Sequence, residues 1–133
     1  MKAGVLLITH GSLGSDLLNT AMSILDRKSI AAEAIAVHHD SDPEAVYETA
    51  SQACNRLDTG AGVLVLTDLF GSTPSNIANR LIDRQGVIVI SGVNLPMLLR
   101  IMNYPTMHVE QLADKATSGA HDGVVLTKRK QAS

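Results

Sequence analysis

Apolar and polar positions fall in blocks that alternate between two periods. Residues 4–9, GVLLIT, form a continuous apolar run, the pattern of a strand covered on both faces. Leu13, Leu17, Leu18, Ala21, Ile24 and Leu25 then recur at helical spacing. Residues 32–38, AEAIAVH, predict a second strand with weaker alternation. Asp42 and Pro43 open a helix as N-cap and first helical residue, and its apolar stripe is Val46, Ala50, Ala53, Cys54 and Leu57. Residues 62–68, GVLVLTD, make the clearest strand in the chain. The loop LFGSTPSN follows, with Thr73 as a cap, Pro74 at the first helical position and a helical face of Ile77, Ala78, Leu81 and Ile82. Gly86 stops that helix and GVIVISG is a fourth strand. NLPMLLRIMN, capped by Asn94, reads as a short helix that Pro105 ends at or before Tyr104. Residues 109–118 are helical again, DGVVLTK (122–128) predicts a last short strand, and the remaining residues, 129–133, form a polar tail.

Strands alternating with helices predict a mostly parallel sheet with right-handed crossovers and helices on both faces, three layers in all. The expected order is the flavodoxin-like one, with the first strand between the second and third. Such a sheet binds ligands at the carboxyl ends of its strands, where the order changes direction. There the first strand runs into His10 and the third into Asp68, so two residues far apart in the chain become neighbours.

Composition narrows the picture. At 133 residues the chain has the length of one domain, expected over residues 1–128. It is 45% hydrophobic but only 2% aromatic, so the core is aliphatic. A net charge of −2 gives no basic field for nucleic acid. The single cysteine, Cys54, allows no internal disulfide and falls on the apolar stripe of its helix. No apolar run approaches the ~20 residues of a membrane helix, and the first residues lack the features of a signal peptide. A cytoplasmic location is expected.

Candidate chemistry centres on His10 and Asp68. A carboxylate that accepts the proton of one imidazole nitrogen leaves the lone pair of the other directed outward, and it stabilises the imidazolium formed when that nitrogen attacks an electrophile. Gly11, Ser12 and Gly14 allow close backbone approach to a ligand, while Gly71, Ser72, Thr73 and Ser75 stand at a helix start where amides favour anions. One histidine, one carboxylate and two amide-rich loops suit a phosphoryl group on histidine and suit a metal badly. His38 and His39, at the end of the second strand, read as surface residues on the far side of the first strand, as do His108 and His121 elsewhere. Each of these features also has a plain structural reading: a capping histidine, a turn aspartate, an ordinary helix start.

THGSLG after the first strand, GVLVLTDLFGSTPSN across the third and GVNLPMLLR after the fourth resemble the enzyme IIA component of the mannose-type sugar phosphotransferase system. The resemblance runs from Gly4 to about Lys128. It implies that His10 takes a phosphoryl group from the phosphocarrier protein HPr and passes it to a IIB component, with no cofactor. It implies that Asp68 hydrogen-bonds His10 and that Gly11, Ser12, Gly71, Ser72 and Thr73 hold the phosphoryl oxygens. Thr73 stands where the family has serine, Phe70 where it often has tryptophan, and Gly71-Ser72 where many members have Gly-Gly. Leu13 and Phe70 are expected at an apolar rim that meets the partner. The resemblance also implies that the last strand, DGVVLTK, is antiparallel to the others and is exchanged between two subunits of a homodimer.

Three other readings compete. A flavodoxin-like module that binds a small ligand without covalent chemistry explains the glycine loops. A receiver domain phosphorylated on Asp68 lacks the acidic pair after the first strand and the lysine after the last parallel one. A hydrolase using Ser12 or Ser75 lacks the G-x-S-x-G elbow.

Overall fold

The computed structural model describes residues 2–26 and 30–130. Its strands are β1 (Gly4–His10), β2 (Ala32–Val37), β3 (Val63–Thr67) and β4 (Val87–Ser91). Its helices are α1 (Leu13–Leu25), α2 (Pro43–Leu57), α3 (Thr73–Asn79, continued by a 3₁₀ turn Arg80–Asp83), α4 (Leu95–Met102) and α5 (Val109–Asp122). The sheet has the order β2-β1-β3-β4 and every pair is parallel. This is the expected flavodoxin-like arrangement.

Side-chain alternation builds two cores on the two faces of the sheet. Val5, Leu7, Leu64 and Leu66 pack with Leu98 and Ile101 of α4 and Leu112 and Ala116 of α5. Leu6, Ile8, Val63 and Val65 pack with Ala50, Ala53 and Cys54 of α2 and with Ile77 and Ala78 of α3. The apolar residues of β1 and β3 have no exposed surface, which is why these strands read as unbroken apolar runs. Each such side chain contributes about 1.5–3 kcal/mol through burial. The edge strands β2 and β4 are half-buried along most of their length, which explains the weaker pattern of β2.

Capping residues start the helices much as the sequence implies. Asp42 accepts from the Glu44 amide at 3.2 Å and Asn94 from the Met97 amide at 2.9 Å. At α3 the cap lies one residue earlier than expected. Ser72, not Thr73, is the N-cap and its hydroxyl accepts from the Ser75 amide; Thr73 is the first helical residue. Two adjacent hydroxyl residues before Pro74 offer the same chemistry, and only the backbone path decides between them.

The expected final strand is absent from the described residues. α5 continues to Asp122, Gly123 ends it, and residues 123–130 pair with no strand. Val124, Val125 and Leu126 are 78%, 75% and 81% exposed. A strand exists only where a neighbour completes its hydrogen-bond ladder, and this segment meets none within its own chain. Of the polar tail expected over residues 129–133, residues 131–133 lie outside the described residues.

Gly62 fixes the end of the sheet opposite the site. Its φ is +91°, and a Cβ there would lie 2.5 Å from both the Gly86 carbonyl oxygen and Val109 Cγ1. The carbonyl belongs to backbone and cannot yield. Gly62→Ala therefore combines a left-handed conformation with overpacking and is expected to destabilise the fold by about 3 kcal/mol. Equilibrium denaturation with urea checks this; an unchanged midpoint contradicts it.

Candidate functional site

The helices after β1 and β3 go to opposite faces of the sheet: α1 lies with the first core and α3 with the second. That divergence opens a crevice above the carboxyl ends of the two central strands. β1 delivers His10 as its last residue, and Asp68 follows β3 immediately. Gly71 has φ +83° with open space at its Cβ position, so it turns the loop from Asp68 toward α3 through a conformation that L side chains rarely adopt.

His10 Nδ1 lies 2.7 Å from Asp68 Oδ2, and the His10 backbone amide donates to the same oxygen at 3.2 Å. A carboxylate only accepts, so the proton of the imidazole resides on Nδ1. Nε2 has no hydrogen-bond partner among the described residues and keeps its lone pair free. The side chains differ in exposure: His10 is 52% exposed and Asp68 12%. The imidazole is thus accessible while the carboxylate that orients it is sheltered. Burial pushes the Asp68 carboxyl up, but the hydrogen bonds from the His10 ring and amide more than offset this, and its pKa lies below the ordinary aspartate value. Asp68 Oδ1 is buried without a partner, as is the Thr67 hydroxyl. An undersatisfied carboxylate gains most from a positive charge beside it, which is what an attacking imidazole becomes.

The loop residues divide by role. Gly14 is buried; its amide donates to Thr9 Oγ1 at 2.8 Å, and a Cβ there would lie 3.0 Å from that oxygen. It lets α1 pack on β1 and is not available to a ligand, contrary to the sequence reading. The Gly11 amide is also committed, donating to the Val37 carbonyl at 2.9 Å. Ser12 donates its hydroxyl to Asp16 at 2.9 Å, and Ser72 donates its own to the Leu69 carbonyl. Thr73 keeps an exposed side chain, and the amides of Gly71 and Thr73 have no protein acceptor among the described residues. Phe70 is 76% exposed, and Leu13 and Leu69 are exposed with it, giving apolar surface in the loops after β1 and β3. Leu69 adjoins Phe70 in the loop and went unselected in the sequence.

One placement goes beyond what the sequence implied. An open cleft of about 480 Å³ beside His10 is lined by His10, His38, His39, Ser41, Pro43 and Thr73. His38 and His39 are exposed and follow β2, on the far side of β1 from β3, as expected, and they also line the cleft of His10. Register explains this: His10 pairs with Val37, so the turn after β2 begins level with the site. Among the described residues no group of three His, Cys, Asp or Glu side chains is placed to hold a metal ion. No described helix is long and apolar enough to cross a membrane.

Known proteins place the chain in a family. The chain matches the EIIA-man family model, described as PTS system fructose IIA component, over residues 4–117. It is 33% identical over 103 residues to the PTS system mannose-specific EIIAB component of Escherichia coli K12. That match takes in 77% of this chain and 32% of the relative, so the chain spans about a third of the relative's length. Among solved structures, the mannose/sorbose specific IIA subunit of Enterococcus faecalis superposes with a TM-score of 0.85, at 22% identity and over all of both chains. The phosphotransferase system component EIIA of Streptococcus agalactiae gives 0.80 at 24% identity, over 92% of this chain and 95% of its own. At these identities the structures attest the shared fold, while the family model and the Escherichia coli relative attest kinship. The chain with His10 and Asp68 at its β1–β3 crevice belongs to the EIIA-man family, the mannose-type IIA components of the sugar phosphotransferase system.

Proposed function

We propose that this chain is a phosphocarrier, a phosphotransferase component that forms phosphohistidine on His10 in sugar uptake or its regulation. The observation that carries the reading is the 2.7 Å contact between His10 Nδ1 and Asp68, which leaves Nε2 of a half-exposed ring unpartnered among the described residues. In the proposed step the Nε2 lone pair attacks the phosphorus of phosphohistidine on HPr. The donor P–N bond breaks, the pair returns to the HPr imidazole, and a new P–N bond forms on His10. The Nδ1 proton stays in the hydrogen bond to Asp68, whose charge balances the phosphoimidazolium. Reversal of the same geometry hands the group to an EIIB component. Phosphoryl transfer asks mainly for in-line placement and charge stabilisation, which fits a site built from one ring, one carboxylate and loop donors.

Of the residues expected to hold phosphoryl oxygens, Thr73 and the Gly71 amide have uncommitted donors and take the larger part. Gly11, Ser12 and Ser72 frame the loops, since their amide or hydroxyl donors already have acceptors. Leu13, Phe70 and Leu69 form the apolar rim for a transient partner contact. We further propose a single cytoplasmic domain over residues 1–128 that dimerises by exchanging its last segment. The exposed Val124–Leu126 run and the open edge of β4 support that exchange.

The test is incubation with phosphoenolpyruvate, enzyme I and HPr, followed by mass spectrometry at alkaline pH. One acid-labile phosphoryl group on the peptide carrying His10 is expected. No mass gain with active partners overturns the reading in favour of a ligand-binding module.

A further inference from the structure

The cleft beside His10 raises a question of charge. A phosphoryl group on Nε2 brings a dianion to an open site. Among the described residues no lysine or arginine lines the cleft. Arg80, whose partner Glu44 follows Pro43 of the cleft wall, is committed: its guanidinium binds Glu44 at 2.8 and 3.3 Å and stacks 3.9 Å over the Tyr47 ring. Asp68 is negative and faces the Nδ1 side of the ring. The only other lining groups able to become cations are His38 and His39.

Resting on the phosphocarrier reading, we propose that His38 and His39 hold the phosphoryl group of phospho-His10 as paired imidazolium donors. The turn that carries them is built to face the site. His10 and Val37 are paired in register, and the Gly11 amide donates to the Val37 carbonyl. The turn is closed by two hydrogen bonds between His38 and Ser41: the Ser41 amide donates to the His38 carbonyl at 3.0 Å, and the His38 amide donates to Ser41 Oγ at 2.9 Å. Pro43 then starts α2 on the same wall of the cleft. Both imidazoles are exposed before transfer and nothing in the chain occupies their ring nitrogens among the described residues. When the dianion arrives it favours the protonated form of any imidazole within reach. Each ring takes its proton from solvent and donates it as a charge-assisted hydrogen bond to a phosphoryl oxygen. Most of the surrounding carboxylates are already engaged. Asp42 is engaged with the Glu44 amide, Glu44 with Arg80 and Asp68 with His10, which leaves Asp40 in the turn itself as the exposed competitor.

The test compares the wild type with His38→Gln/His39→Gln and His38→Lys/His39→Lys variants, each verified as folded by circular dichroism. Phosphorylation is followed from phospho-HPr and, separately, from phosphoramidate, a small donor that needs no docking surface. The glutamine pair is expected to slow phosphorylation about tenfold from both donors and to shorten the lifetime of phospho-His10. The lysine pair restores both, because charge and not ring shape is what the dianion requires. Wild-type labelling with unchanged rate and lifetime in the glutamine pair overturns this inference and leaves the phosphocarrier reading intact. A loss that lysine does not restore overturns the charge assignment. Absence of label on the wild type from either donor overturns both.

Discussion

The His10→Ala variant is expected to accept no phosphoryl group while keeping its fold. His10 is the last residue of β1, half-exposed, and its ring packs into neither core. The change removes the only nitrogen, among the described residues, whose partner on the other side of the ring is a carboxylate. Other imidazoles do not substitute. His38 and His39 lie in the cleft but have no carboxylate oriented on them among the described residues, and His108 and His121 lie on loop and helix surface elsewhere. The Asp68 carboxylate still accepts the backbone amide of residue 10, so stability is expected to change by no more than about 1 kcal/mol. Labelling from phospho-HPr and a denaturation midpoint measured on one preparation check both halves. Label retained at the wild-type level excludes His10 as the acceptor. Loss of label together with loss of the midpoint makes His10 structural.

Asp68→Ala is expected to slow transfer by about a hundredfold without removing the acceptor. Two contributions disappear together. Without the carboxylate the neutral ring divides between its two tautomers, and the one protonated on Nε2 cannot attack. The positive charge that develops on the ring also loses its counterion. Asp68→Asn tests the split, because an amide oxygen can still hold Nδ1–H while contributing no charge; its rate is expected between those of the wild type and the alanine variant. The pH dependence has a definite sign. The folded carboxyl is depressed below its unfolded value. Its contribution to stability is therefore complete above the ordinary aspartate pKa of about 3.9 and is lost as pH falls through the lower folded value. The contact is thus intact throughout the neutral range. A stability–pH curve should show the wild type losing its advantage over Asp68→Ala only below about pH 4. An advantage lost nearer neutrality contradicts the assignment, and so does a transfer rate equal to the wild type.

Much of this architecture was legible in the chain. Apolar runs at 4–9 and 62–68 marked the two strands buried on both faces, because central strands of a parallel sheet have no polar side to show. Asp42-Pro43 and Asn94 marked helix starts that the structure places at the same residues. The pairing of His10 with Asp68 followed from the strand order alone, since residues at the ends of neighbouring strands must meet. Other features were not legible. The cap of α3 fell on Ser72 and not Thr73, because both residues offer a hydroxyl and only the loop path chooses. Gly14 looked like a ligand-facing glycine, yet its missing Cβ serves Thr9 and Leu7 at a helix–strand contact. Residues 122–128 carry the apolar content of a strand, but strand formation depends on a neighbouring edge that lies in no local window.

The sequence by itself determined which segments form strands and helices, the order of the sheet, and that a histidine and an aspartate meet at its crevice. These follow from periodicity, capping chemistry and topology, all carried by short stretches of chain. Only the tertiary structure decided which donors are free and which are already used, and which turns share a wall with His10. The clearest case is His38-His39: their place in the cleft depends on the register of β2 against β1 and on the path of a four-residue turn. Both are properties of the folded sheet, because hydrogen-bond register and backbone direction arise from interactions between segments and not within them.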